Sequence, residues 1–181
     1  SISEMRALQH MIYPQLNSEA LDNTRQQPKP NTEPHVAART APQTTSHLSQ
    51  DNAADIKHDL IALGAQSSAA KQEAENSRWE IKHAMEKKDL RALKTAIEKS
   101  NKRIQSLNQN YDMVSLKSSE VVAAREKLKK DNNLQIEMGN IILSSSPDRQ
   151  KFEELQKKRS NSQKMVEIEM EALWIKANTA S

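Results

Sequence analysis

Five histidines, His10, His35, His47, His58 and His83, are the side chains of this chain best suited to metal ligation or proton transfer, and their spacing supports neither. Two ligating histidines on a helix must sit about one turn apart to share a face, and no pair here does. Glu167, Glu169 and Glu171 lie close together, but alternate positions on a helix point in different directions. They read as a solvated face rather than as an acid with its base. Two glycines in 181 residues cannot form a phosphate-cradling loop, and the absence of cysteine removes thiolate chemistry and disulfide staples. The residue chemistry therefore predicts no enzyme, no cofactor, no metal and no small-molecule substrate.

Charge excludes a second class. Lys127, Lys129 and Lys130 form one basic group, and Lys157, Lys158 and Arg159 another, each beside glutamates that neutralise it. With 27 Lys+Arg against 24 Asp+Glu the net charge is only +3. The aromatic residues Tyr13, Trp79, Tyr111, Phe152 and Trp174 are too scattered to stack successive bases. Nucleic acid is thus not expected as a partner, and both basic groups read as solvated helix faces. No apolar run approaches membrane-spanning length, and the first residues lack a signal-peptide pattern. These features set the expected address as cytoplasmic.

What the spacing does support is contact between proteins. Met5, Leu8 and Ile12 share one face of a short helix, the pattern of an anchor that enters an apolar groove. Near the C-terminus, Met165, Ile168 and Trp174 belong to a helix that is apolar on more than one face. Packing against two neighbours is favoured there, and a docking surface is the second reading. Met5, Leu8, Ile12, Met165, Ile168 and Trp174 are the candidate partner-binding residues.

The elements that must position them follow from proline and from periodicity. Five of six prolines precede residue 43, and the sixth is Pro147. Proline removes a backbone donor and clashes with the preceding turn, so the chain divides into a helix-hostile arm, 1–50, and a helix-permissive body, 51–178. The arm holds one short helix over 3–13, ended by Pro14. The Pro, Thr, Ser, Gln and Asn-rich remainder buries too little to offset its ordering entropy.

In the body, Asn52 caps a helix over about 53–87. Its seam of Ile56, Leu60, Leu63, Ser67, Ala70, Ala74, Ser77, Ile81 and Ala84 has large residues at its ends and small ones between. Asp89 caps the next helix, whose three-four rhythm runs from Leu90 through Leu128. One helix over 89–143 is favoured over a break near 108–117. Ser146 and Pro147 open the last helix, 147–177. The predicted fold is all-α: an elongated antiparallel helical bundle or coiled coil of three to four helices, preceded by an extended, largely unstructured N-terminal arm.

Within this frame, Asp89-Leu90-Arg91-Ala92-Leu93-Lys94-Thr95-Ala96-Ile97 has an acidic-Leu-x-x-Leu-x-x-Ala-Ile form after a short corner. Over about 81–130 it resembles helical-hairpin segments of ciliary and cytoskeletal scaffold proteins. The resemblance implies a non-enzymatic scaffold, adaptor or assembly subunit that binds other proteins through its arm and helical faces in a larger complex. A second reading is an exported protein of the bacterial type III apparatus, a tip, filament or effector secreted without a cleaved signal peptide.

Overall fold

The computed structural model describes residues 2–17 and 47–179, and among these every regular element is a helix. They are α1 (Ile2–Asn17), α2 (Ala53–Glu86), α3 (Leu90–Met113), α4 (Ser119–Leu143) and α5 (Arg149–Thr179). Among the described residues there are thus five helices, α1 in the arm and four in the body, where the sequence predicts three to four in the body beside a short arm helix. The low-complexity stretch between α1 and α2, expected to lack structure, lies outside them.

Capping starts each helix of the body. The Asn52 side chain accepts from the Asp55 amide at 3.0 Å, and Asp89 from the Ala92 amide at 3.0 Å, as the residue types predict. At α5 the cap is Asp148, which accepts from the Lys151 amide at 3.0 Å, in place of the expected Ser146. Lys88 turns the chain between α2 and α3 with φ of 56°, a left-handed conformation usually left to glycine.

The long helix expected over 89–143 is two helices, and buried polar chemistry explains the break. Asp59 on α2 is fully buried. Its carboxylate accepts from the Lys117 amide at 2.9 Å, the Ser118 amide at 2.6 Å and the Ser118 hydroxyl at 2.7 Å. Those bonds hold the connection in an extended conformation, pinned further by backbone hydrogen bonds between Ser49 and the 117–119 segment. Arg125 donates to the carbonyls of Tyr111 and Val114, giving the end of α3 the cation its dipole favours. An apolar rhythm cannot register a carboxylate arriving from another helix, so the periodic signal runs straight across the corner.

The four long helices pack as neighbours in sequence, and α2 meets α5 to close the ring. Lys176 at the end of α5 pairs with Asp51 just before α2, which fixes these two helices antiparallel. The core has two apolar layers. One joins Ile81 and Met85 to Leu93, Ile97, Met138 and Phe152, and the other joins Ile56, Leu60 and Leu63 to Tyr111, Leu128 and Met170. The small residues of the α2 seam fall between them, as their spacing predicts.

Buried polar groups fill this waist. Asn101 donates to Asn140 at 3.0 Å, Asn132 donates to Asn108 at 2.8 Å, and Asn108 donates to Asn133 at 3.0 Å. Arg159 Nη2 lies 3.4 Å from Asp131 Oδ2 with both side chains sealed from solvent. The sequence had placed Arg159 on a solvated face. Burial lowers the affinity of its guanidinium for a proton, and the adjacent Asp131 opposes that shift.

Helix α1 completes the first layer. Met5, Leu8, Met11, Ile12 and Leu16 are all buried there, against residues of α2, α3, α4 and α5. The helix continues through Pro14 instead of ending before it. Apolar burial of Leu16 beyond the proline helps offset the missing amide bond of the last turn.

Candidate functional site

The residues proposed to bind a partner separate into two groups. Met5, Leu8 and Ile12 are 3%, 1% and 2% exposed, so the groove that receives the α1 anchor belongs to the chain itself. A small cavity of about 30 Å³ remains beside Ile12 and Gln15, under α1. Met165 and Ile168 lie in the open instead, at 65% and 64% exposure.

Helix α5 explains the contrast. Its inward seam of Val166, Met170, Leu173 and Ala177 repeats at four- and three-residue steps and packs into the second core layer. A second seam lies almost opposite: Asn161, Met165, Ile168, Ala172, Ile175 and Thr179, spaced by the same alternation and all exposed. Ile175 is 65% exposed. The favoured expectation of two packed neighbours for this helix holds, since α5 lies against both α4 and α2, but both contacts use one side of it and leave a second apolar face open. Trp174 leaves the open group. It is half-buried against the second core layer, and its indole N–H is buried without a hydrogen-bond partner. Sequence reasoning marked the Met165–Ile175 stretch as apolar surface but missed Ala172 as a member of the row, although the four-three spacing from Met165 was sufficient to find it.

Charged side chains border the open seam. Lys164 and Glu171 are exposed on one side. On the other, Glu169 accepts from Lys127 of α4 at 2.6 Å, and Lys176 is held by Asp51 and by Glu120 at 3.4 Å. The hydrogen bond to Asp51 raises the proton affinity of Lys176. Burial pushes the Glu120 carboxyl up, but hydrogen bonds from the Asp51 amide, its own amide, Ser119 and Lys176 together outweigh it and leave it below its usual range. The Glu169 and Lys176 side of this rim is thus tied to the bundle.

The remaining chemistry-bearing residues do not converge. His83 stacks on the exposed Trp79 with ring centroids 4.5 Å apart, and the half-exposed His58 lies 3.1 Å from the buried Asp59 carboxylate. Among the described residues, no group of three metal-ligating side chains forms. None of their helices is long and apolar enough to cross a membrane.

Comparison with known proteins bears on what this surface serves. The model of a family described as uncharacterised lipoprotein PM1805 matches residues 57–178, which includes α3, α4 and the open face of α5. No curated protein and no solved structure matches the chain. The family match overturns the expected function, both the cytoskeletal scaffold or adaptor and the type III alternative, because neither is a lipoprotein. It likewise corrects the cytoplasmic address: composition and hydropathy do not report a covalently attached lipid. Matched over well more than half its length, the chain belongs to the uncharacterised lipoprotein PM1805 family.

Proposed function

We propose that this chain is the folded body of a lipid-anchored protein that acts without catalysis, by contact between the open face of α5 and another protein. The observation that carries this reading is the second seam itself. A helix already packed along one side gains nothing in its own fold from Met165, Ile168 and Ile175 on the other, where each exposes apolar surface to water. The antiparallel body supplies the rigidity such a face needs, since α5 is clamped by its inward seam, the Arg159–Asp131 pair and the ion pairs of its rim.

Two measurements on the full-length protein in its native source test the two halves of the reading. The protein should fractionate with membranes and incorporate a labelled acyl chain, and recovery in the soluble fraction without label would overturn the anchoring. The double variant Ile168→Glu/Ile175→Glu should remain membrane-held and fully helical while losing its protein contact, because it places desolvated charge at the centre of the face. Retention of that contact would overturn the role of α5.

A further inference from the structure

We propose that the occupant of the open α5 face is a second copy of this chain, associated in parallel and in register. This rests on the reading that α5 makes a protein contact, and it names the partner. Asn161, Met165, Ile168, Ala172, Ile175 and Thr179 fill the alternate core positions of a two-stranded coil, with Met165, Ala172 and Thr179 at one and Asn161, Ile168 and Ile175 at the other. Lys164 and Glu171 then occupy the flank before the seam, and Glu169 and Lys176 the flank after it.

In a parallel coil, each residue of the first flank faces the second flank of the following heptad on the other strand. Lys164 therefore meets Glu169 of the second copy, and Glu171 meets Lys176 of the second copy. Every such contact joins opposite charges and occurs twice by symmetry. Both contacts would be shared with pairs inside one copy, since Glu169 already accepts from Lys127 and Lys176 is held by Asp51 and Glu120. The antiparallel arrangement that overlaps the same apolar residues places Glu171 against Glu171 and Glu169 against Glu169, like charges at both flanks. Exposed ion pairs contribute little affinity, so the apolar seam supplies the attraction and the charges select the orientation.

A bilayer is a poorer fit to the same face. Apolar helices that lie on anionic lipid carry Lys and Arg along their polar margin. The margin of this seam is mixed, with Lys164 and Lys176 alternating with Glu171 and Glu169, and carries no run of basic residues. Parallel association also suits copies held by lipid on one membrane, since both then present the same end of the bundle to it.

The test uses the whole chain. Sedimentation across a concentration series should show a monomer–dimer equilibrium, and Ile168→Glu should weaken association by about a hundredfold or more. Its circular dichroism and melting temperature should stay as in the parent. Because the chain contains no cysteine, orientation can be read from single introduced thiols. Ile175→Cys should oxidise to a covalent dimer, since like positions face each other in the parallel coil. A mixture of Met165→Cys and Ile175→Cys proteins that crosslinks mainly between unlike positions would overturn the parallel arrangement. A chain that stays monomeric at all concentrations would overturn the second copy as occupant. If Ile168→Glu/Ile175→Glu still abolished a protein contact on the native membrane, the reading of α5 as a contact face would survive that result.

Discussion

Asp59 decides where the longest periodic stretch of the sequence stops being one helix. Its carboxylate is fully buried and satisfies three donors of the Lys117–Ser118 segment. Asp59→Ala would leave those donors unsatisfied, and it should cost about 3 kcal/mol in chemical denaturation with loss of protection at the 115–119 amides. A second residue-scale feature is Gly139, where a methyl group would approach Asn101 Oδ1 to 2.5 Å and Nδ2 to 3.0 Å. Gly139→Ala should therefore displace the Asn101 amide from Asn140 and destabilise by about 2 kcal/mol, despite the better helix propensity of alanine. The Arg159–Asp131 pair makes a third test. Asp131→Ala strands a buried cation and should cost about 3 to 5 kcal/mol, whereas replacing both partners by well-packed apolar residues should be far milder. Equal losses would mean that the pair stabilises through more than its own charge balance.

At the scale of elements, α1 is the instructive case. Its amphipathic face was legible from Met5, Leu8 and Ile12 alone, but the identity of its groove was not, because residues remote in sequence supply that groove. The triple variant Met5→Ala, Leu8→Ala and Ile12→Ala should lower the melting temperature. The loss should be less than the sum of single losses of about 2 to 4 kcal/mol each, because α1 can undock before the body unfolds. An unchanged melting temperature would mean that α1 does not hold the first core layer together. The seam residues of α2 and α3 were legible for a simpler reason: burial in a bundle follows the helical period, and Leu93 and Ile97 lie on it. Leu93→Asp or Ile97→Asp should cost several kcal/mol. The α3–α4 corner was legible only as the less favoured break near 108–117, and the buried Arg159 not at all, since each depends on a carboxylate contributed by another helix. The second face of α5 was half legible. Spacing reveals two apolar seams, but only assembly of the bundle shows which one remains open.

For the whole molecule, the ring of helices is closed where the α2 start, the α4 start and the end of α5 meet through Asp51, Glu120 and Lys176. Glu120 has a folded-state pKa below its ordinary 4.5, so its stabilisation is present above that pH and is lost as pH falls through the lowered value. Lys176 has one above 10.5, so its stabilisation is present below that pH and is lost as pH rises through the raised value. The melting temperature should accordingly hold a plateau between these limits, and the Lys176→Met variant should show a flatter profile at both ends. This closure leaves the outward seam of α5 unoccupied within one copy, at the surface of a protein whose family is described as an uncharacterised lipoprotein. A photoreactive side chain at position 168, activated in the full-length protein on its native membrane, tests that account most directly. The prediction is a crosslink to protein, with the adduct mapping to α5 of a second copy; adducts to lipid alone, or none while position 79 crosslinks efficiently, would contradict it.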